Sequence, residues 1–249
     1  EIFKNKIADL LTGFGLIEVS NYNITSKNEL NDNLDYVELI SSNEEYNVLR
    51  NSLIQSLLKT LSNNKHNEFP QNIFEMGYIF RKGKSETGIL EEDKLGVALC
   101  HSKADFTSVK QIIDSLFENL GLNYTIENAE NNIFIPGRVG KIIVKGKEIA
   151  YIGEVNPSVL NKFGIETPVS AFELDLKELF ATTNDIDIVS RYIIREVQSI
   201  YYPTGDNIND KHIELIVRQM FSRIRVLEPG DTDLLSGDVL EKRRLIEEN

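Results

Sequence analysis

Apolar residues recur along the first part of the chain at two different periods, and the switches between them lay out its elements. Residues 2–14 place Ile2, Phe3, Ile7, Leu10, Leu11 and Phe14 at helical spacing, with Gly13 and Gly15 as a stop. Residues 17–24 alternate as a strand does. A second helix is predicted over residues 52–63, with Leu53, Leu57, Leu58 and Leu61 on one face and Asn51 or Ser52 as its cap. Pro70 breaks the chain, and residues 73–80 and 95–100 read as buried strands. Residues 106–120 form an amphipathic helix with Val109, Ile112, Ile113, Leu116 and Phe117 inward, stopped by Gly121.

Two strands joined by a tight turn follow, residues 141–144 and 148–153 around Lys145-Gly146-Lys147, which is a hairpin signal. A short helix over residues 158–163 follows Pro157, and residues 170–176 read as a last strand. Antiparallel pairs with flanking helices make the class α+β. Further on, Val189, Tyr192, Ile193, Val197 and Ile200 share a helical face. After Pro203-Thr204-Gly205, a second face holds Ile213, Ile216, Val217, Met220, Phe221 and Ile224, with Asn209 or Asp210 as cap. That pair reads as a small helix-turn-helix-like segment. A turn at residues 228–231 and a short strand near Val239-Leu240 follow.

Composition narrows the functions open to such a chain. Its 249 residues carry a formal charge of -12, a poor basis for gripping a phosphate backbone, which needs Lys and Arg against phosphates. Residues 1–180 hold 15 Lys and 3 Arg, whereas residues 181–249 hold 2 Lys and 7 Arg. The net charges of the two parts are -8 and -4. This change in usage suggests segments of different origin, joined by a polar linker around Thr182-Thr183-Asn184-Asp185. The single cysteine, Cys100, excludes an intrachain disulfide framework and fits a reducing compartment. No apolar run approaches the roughly 20 residues of a membrane span. Starting at Glu1 without a signal-peptide pattern, the sequence reads as a fragment or excised domain of a cytoplasmic protein.

Candidate chemistry is sparse. His66, His101 and His212 lack the spacing of a metal site and read as surface or structural residues. Gly83-Lys84-Ser85 has the end of a phosphate loop, but Tyr78 stands where its first glycine belongs. Asp206, Asp210, Asp231 and Asp233 lie in turns, where Asp caps helices and closes Asx turns. There is no nucleophile elbow and no Cys/His pairing. The residues alone do not describe a self-sufficient enzyme.

Several runs then belong together: Val48-Leu49-Arg50-Asn51-Ser52-Leu53-Ile54, residues 64–77 with Asn72-Ile73-Phe74-Glu75-Met76-Gly77, Pro136-Gly137-Arg138, Ile152-Gly153-Glu154-Val155-Asn156-Pro157, and Ala171-Phe172-Glu173-Leu174-Asp175-Leu176. In order and spacing they resemble the beta subunits of phenylalanyl-tRNA synthetases of the archaeal and eukaryotic type. The resemblance implies that residues 1–180 form the catalytic-like module of that subunit. Its fold would be a class II aminoacyl-tRNA synthetase-like antiparallel sheet with flanking helices, noncatalytic and packed against the catalytic alpha subunit in an (αβ)₂ assembly. Residues 77–81 stand where the strand of the second class II motif would be, but Lys82-Gly83 follows Arg81 in place of the Arg-x-acid pattern. The third motif's glycines and arginine are missing from residues 172–177. ATP and Mg²⁺ are accordingly expected in the alpha subunit, with no cofactor in this chain and tRNA contacted only indirectly. The same resemblance places an editing module and a DNA-binding-like fold upstream, which these residues do not include.

Arg50, Asn51 and Ser52 are therefore candidates for a subunit contact, with Arg50 equally readable as one half of a surface ion pair. Pro136-Gly137-Arg138 would turn the backbone into a strand, and Arg138 has Glu154 as a candidate partner. Gly153 and Pro157 would frame a strand exit. Residues 185–242, with Tyr192 to Tyr201, Ile208 to Met220 and Glu228 to Asp238, resemble instead the C-terminal region of the bacterial RNA polymerase beta prime subunit. That family's metal-binding aspartates are absent. The combination suggests a fusion, and it leaves a transcription fragment or an inactive structural chimera as alternatives to a synthetase module.

Overall fold

The two periods resolve into helices packed on one large sheet. The computed structural model of the chain describes residues 2–30, 35–40, 46–85, 87–183, 209–225 and 239–241, with 190, 193–194, 197–198 and 201. It divides into two units, Glu1–Thr183 and Asn184–Asn249. The first runs α1 (Ile2–Gly13), β1 (Ile17–Glu18), β2 (Ile24–Thr25), a 3-10 turn at Lys27–Glu29, β3 (Val48–Leu49), α2 (Leu53–Asn63), β4 (Gln71–Lys82), β5 (Ile89–Cys100), α3 (Phe106–Leu120), β6 (Thr125–Asn128), β7 (Phe134–Val144), β8 (Lys147–Val155), α4 (Pro157–Lys162), β9 (Val169–Asp175) and α5 (Leu176–Thr183). Seven strands form a sheet in the order β1-β4-β5-β9-β8-β7-β6. All neighbours are antiparallel except β1, which runs parallel to β4. The last strand, β9, thus closes the sheet from its middle, between β5 and β8. Strands β2 and β3 pair separately.

Strand alternation sends one set of side chains to each face of the sheet. Phe74, Leu95, Val97, Ile152, Phe172 and Leu174 meet Ile7 and Leu11 of α1, Val109, Ile113 and Phe117 of α3, and Leu179 of α5. On the other face, Ile54, Leu57, Leu58 and Leu61 of α2 bury Ile73, Ala98, Cys100, Val139 and Ala171. The helix lies tight on β5 because Gly96 has no side chain there; a Cβ would come within 2.8 Å of Leu53 Cβ. Among the described residues, no helix is long and apolar enough to cross a membrane.

Several elements differ from the sequence reading. The strand predicted over residues 17–24 is two short pieces in different sheets. Between them, Asn21 is drawn off by the Glu75 carboxylate, which accepts from both its main-chain and side-chain nitrogens at 3.1 and 2.8 Å. Strands β4 and β5 extend well into polar sequence, to Lys82 and from Ile89, because paired charges replace apolar packing there. Strand β6 and helix α5 have no counterpart in the prediction, and Thr182-Thr183, read as linker, is the last turn of α5.

In the second unit, α6 (Asp210–Met220) is capped by Asn209, whose side chain accepts from Lys211 N, and β10 (Arg223–Arg225) pairs with β11 (Val239–Glu241). Ile213 and Val217 are buried, but Ile216 and Met220 are exposed, so the inward stripe is narrower than predicted. Most of the helix predicted over 189–200, and the turn and acidic residues at 228–238, lie outside the described residues.

Candidate functional site

The face of the sheet that carries α2 is divided by one cross-strand row. Glu75 of β4 stands opposite Gly96 of β5, then Glu173 of β9, Tyr151 of β8, Lys141 of β7 and Glu127 of β6. On one side of this row lies the apolar floor beneath α2. On the other, the floor is charged. The N-terminus of α2 ends over the row itself, and there the first group of candidate residues comes together.

Ser52 occupies the N-cap position but makes no cap hydrogen bond with its own side chain. The acceptor is supplied across the sheet. Glu173 Oε2 accepts from Ser52 Oγ at 2.8 Å, Leu53 N at 2.6 Å and Ile54 N at 3.3 Å. A carboxylate on the first turn satisfies otherwise unpaired donors and opposes the positive end of the helix dipole. Arg50 is not on the surface: its side chain is 4% exposed and pairs with Glu75 at 2.6 Å. Its Nε donates to the Tyr78 carbonyl at 2.8 Å, and its main chain bonds Asn23 O and Phe80 N. Gly77 makes room for the guanidinium, since a Cβ there would lie 2.3 Å from Nη2. Asn51 is fully buried beside them. The surface ion pair considered for Arg50 is therefore a buried one, because the chain from 48 to 53 is pinned between β4 and α2.

Beyond the row, Arg81, Lys94, Glu130, Glu148, Tyr151, Glu173 and Asp175 line an open cleft of about 470 Å³. Both of its cations have carboxylate partners. Lys94 binds Asp175 and Glu92, each at 2.8 Å, and Glu92 also lies 3.7 Å from Arg81. Burial opposes the charge on Lys94, but its bonds to Asp175 and Glu92 outweigh it and hold the pKa above the ordinary lysine value. Burial likewise acts against the Asp175 carboxylate, yet Lys94 and the Glu178 amide keep its pKa below the usual range. A hydrogen bond to Glu148, with burial, pushes Tyr151 up to about 12, so its hydroxyl keeps its proton. Only Nε of Arg81 is buried here without a partner among the described residues.

The second group of candidate residues gathers elsewhere. Pro136-Gly137-Arg138 is not a lead-in to a strand. It lies inside β7, at a register shift between Phe134 and Val139, with Gly137 at φ 78°. Such a bulge re-aims the chain. Gly153 lets the bulge close on β8, because a Cβ there would sit 2.7 Å from Arg138 O. Arg138 Nη1 pairs with Glu154 Oε2 at 2.5 Å, and Glu154 Oε1 accepts from Phe106 N at 3.1 Å, the first turn of α3. Gly153 and Pro157 flank the end of β8 at Val155, and Pro157 also opens α4, behind the Asn156 cap. Glu154 thus adds one acceptor to the first turn of α3, whose N-cap Asp105 already accepts from Ser108 N.

Glu75, Glu173, Lys94 and Asp175, which organise the first group, are not among the residues that the sequence pattern singles out. For Glu173 and Asp175 a signal is nonetheless present: each is a charged residue between buried apolar neighbours, where an unpaired charge is too costly to persist. The histidines take no part, and among the described residues no group of three His, Cys, Asp or Glu side chains is placed to hold a metal.

Residues 1–176 match the family described as phenylalanyl tRNA synthetase beta chain CLM domain. The phenylalanine–tRNA ligase beta subunit of Pyrococcus furiosus is 46% identical over 185 residues, which is 72% of this chain and 33% of that protein. That of Methanocella arvoryzae is 38% identical over 183 residues, 70% of this chain and 33% of that protein. The chain thus spans about a third of the length of the curated relatives it matches. A pyrrolysyl tRNA synthetase from Desulfitobacterium hafniense shares the fold, with a TM-score of 0.58 at 18% identity over 71% of this chain and 66% of that one.

Proposed function

The chain belongs to the phenylalanyl-tRNA synthetase beta chain family, and from that premise we propose that it is the noncatalytic scaffold module of such a beta subunit. It packs against a catalytic alpha subunit, in an (αβ)₂ assembly, and supports ATP-dependent charging of tRNA(Phe) without touching the nucleotide. The observation that carries this reading is the α2 N-terminus. A helix N-terminus above an open sheet face is suited to holding a phosphate, but here Glu173 fills it from β9 at 2.6 Å. Glu130, Glu148 and Asp175 surround the same cleft, and Arg81 and Lys94 are turned toward Glu92. This donor set does not fit a nucleoside triphosphate and its Mg²⁺, so both are assigned to the alpha subunit.

Residues 185–242 are read as an appended segment similar to the RNA polymerase beta prime subunit, with no share in that role. The test is direct. The full chain, immobilised, captures its cognate alpha subunit, and the chain alone supports no phenylalanine-dependent exchange of pyrophosphate into ATP. Absence of capture, or exchange by the chain alone, overturns the reading.

A further inference from the structure

Asn21 and Arg50 stand at the two ends of a stretch that leaves the large sheet after β1 and returns just before α2. One carboxylate of β4 holds both ends. Glu75 Oε1 accepts from Asn21 N at 3.1 Å and from Arg50 Nη1 at 2.6 Å, and Glu75 Oε2 accepts from Asn21 Nδ2 at 2.8 Å. The ends are also tied to each other, since Arg50 N donates to Asn23 O at 2.9 Å. Between them the described residues carry their own pairing. Strand β2 pairs with β3, a bridge joins Glu38 to Val48, and Leu39 N and Leu49 N donate to Asn47 O and Val37 O. None of these pairs belongs to the seven-stranded sheet.

The stretch shares little apolar packing with the rest of the unit. Leu30, Val37 and Val48 are buried, but they belong to neither of the two cores that pack the sheet, and Tyr22, Ile24 and Ile40 are exposed. Its further fastenings to α2 are polar: Asn21 Oδ1 accepts from Thr60 Oγ1 at 3.0 Å, and Glu29 pairs with Lys59 at 2.8 Å. The seam between the two is not filled. A hollow of about 660 Å³ has Tyr22, Thr25 and Leu30 on one side and Gln55, Ser56 and Lys59 of α2 on the other. A segment with few buried apolar contacts and hydrogen bonds of its own opens at a lower free energy than the core elements beside it.

We propose that the stretch between Asn21 and Arg50 is a strap, clasped at its base by Glu75, that opens away from α2 as one unit while the seven-stranded sheet stays folded. Because the strap pairs with itself, its own hydrogen bonds are lost together. The sheet keeps its ladder and both cores, so the opening is local. It turns the flank of α2 at Gln55 and Lys59 out to solvent. The device is independent of the beta-subunit reading, since it needs only the clasp and the unfilled seam.

Native-state amide exchange of the full chain, followed by NMR, tests it. The amides of Leu39, Leu49 and Arg50 are expected to exchange at a common free energy of opening, on the order of a hundredfold more readily than those of β5 and β9. Asn21→Ala removes the side-chain bonds to Glu75 and Thr60 and leaves the Arg50–Glu75 pair in place. It should speed exchange of the three strap amides about tenfold, the scale of one or two hydrogen bonds, and leave the β5 and β9 amides unchanged. If the strap amides exchange only as readily as β5 and β9, the strap opens with the whole unit and the proposal fails. It fails as well if Asn21→Ala speeds strap and sheet alike, which marks a part in global stability. If the substitution changes neither, there is no clasp at Asn21 and the proposal is overturned.

Discussion

The two halves of the sheet face that carries α2 use the same strands and opposite chemistry. Under the helix, small and aliphatic residues such as Ala98, Ala171, Ile73 and Val139 form a floor for Leu57, Leu58 and Leu61. Past the row from Glu75 to Glu127, the strands carry Arg81, Glu92, Lys94 and Asp175, paired with one another across β4, β5 and β9. The apolar half gains stability by excluding water. In the charged half Lys94 is 13% exposed and lies 2.8 Å from both Glu92 and Asp175, so the charges there persist only because they are paired. The boundary between them is where stability is most exposed to single changes, because Arg50, Glu75 and Glu173 are charges held at the edge of a hydrocarbon core.

Breaking the boundary should therefore cost most. Glu75→Ala leaves Arg50 buried and unpaired and is expected to lower stability by about 3–5 kcal/mol in urea unfolding. Arg50→Met combined with Glu75→Leu should recover most of that loss; no recovery would mean the pair does more than neutralise itself. Within the apolar half, Leu57→Ala is expected to cost about 2–5 kcal/mol by opening a cavity. Glu173→Ala should cost about 1–2 kcal/mol, the usual effect of removing a helix cap, and amide exchange in the first turn of α2 should rise with it.

In the charged half, Lys94→Met is expected to cost about 1–2 kcal/mol and to reshape the pH profile of stability. The Asp175 contribution is full above its unfolded pKa of about 3.9 and is lost as pH falls through its lower folded value. The Lys94 contribution is full below about 10.4 and is lost as pH rises through its higher folded value. Between these limits the pair adds nothing to the slope, and Lys94→Met should flatten both limbs; unchanged limbs would remove this network from the account. The smallest effect is expected at Arg138→Ala, whose guanidinium is largely in solvent, with an unfolding midpoint indistinguishable from that of the unsubstituted chain. Beneath α2, burial pushes the Cys100 thiol up to about 11, so iodoacetamide at neutral pH should label it only once the chain is unfolded.

Much of this architecture is legible in the sequence, and the reasons are local. The Leu53–Leu61 stripe, the Phe106–Leu120 stripe with Gly121 behind it, and the Lys145-Gly146 turn with φ of 49° and 80° are each specified by residues within a few positions of one another. Strand β6 escapes the pattern because Thr125–Asn128 is short and mostly exposed, and it exists through pairing with β7. The charged ends of β4 and β5 escape it because alternation counts apolar residues, whereas those ends are held by ion pairs. Of the candidate site residues, Arg138 and Glu154 can be paired from the sequence. For Ser52 the cap position is legible and its acceptor is not, because Glu173 is some hundred and twenty residues away in sequence.

What the sequence determined by itself, then, is the main helices and the long strands' apolar stretches, the α+β class and the family, since periodicity, turn chemistry and motif order all act at short range. Only the tertiary structure decided which charges meet around α2. The order β5-β9-β8 brings Glu173 beneath α2 and Asp175 against Lys94, and the register of β4 sets Glu75 under Arg50 with Gly77 beside it. Whether a helix N-terminus is an open anion site or a closed one depends on that register, because a shift of one residue would turn Glu173 to the opposite face of the sheet.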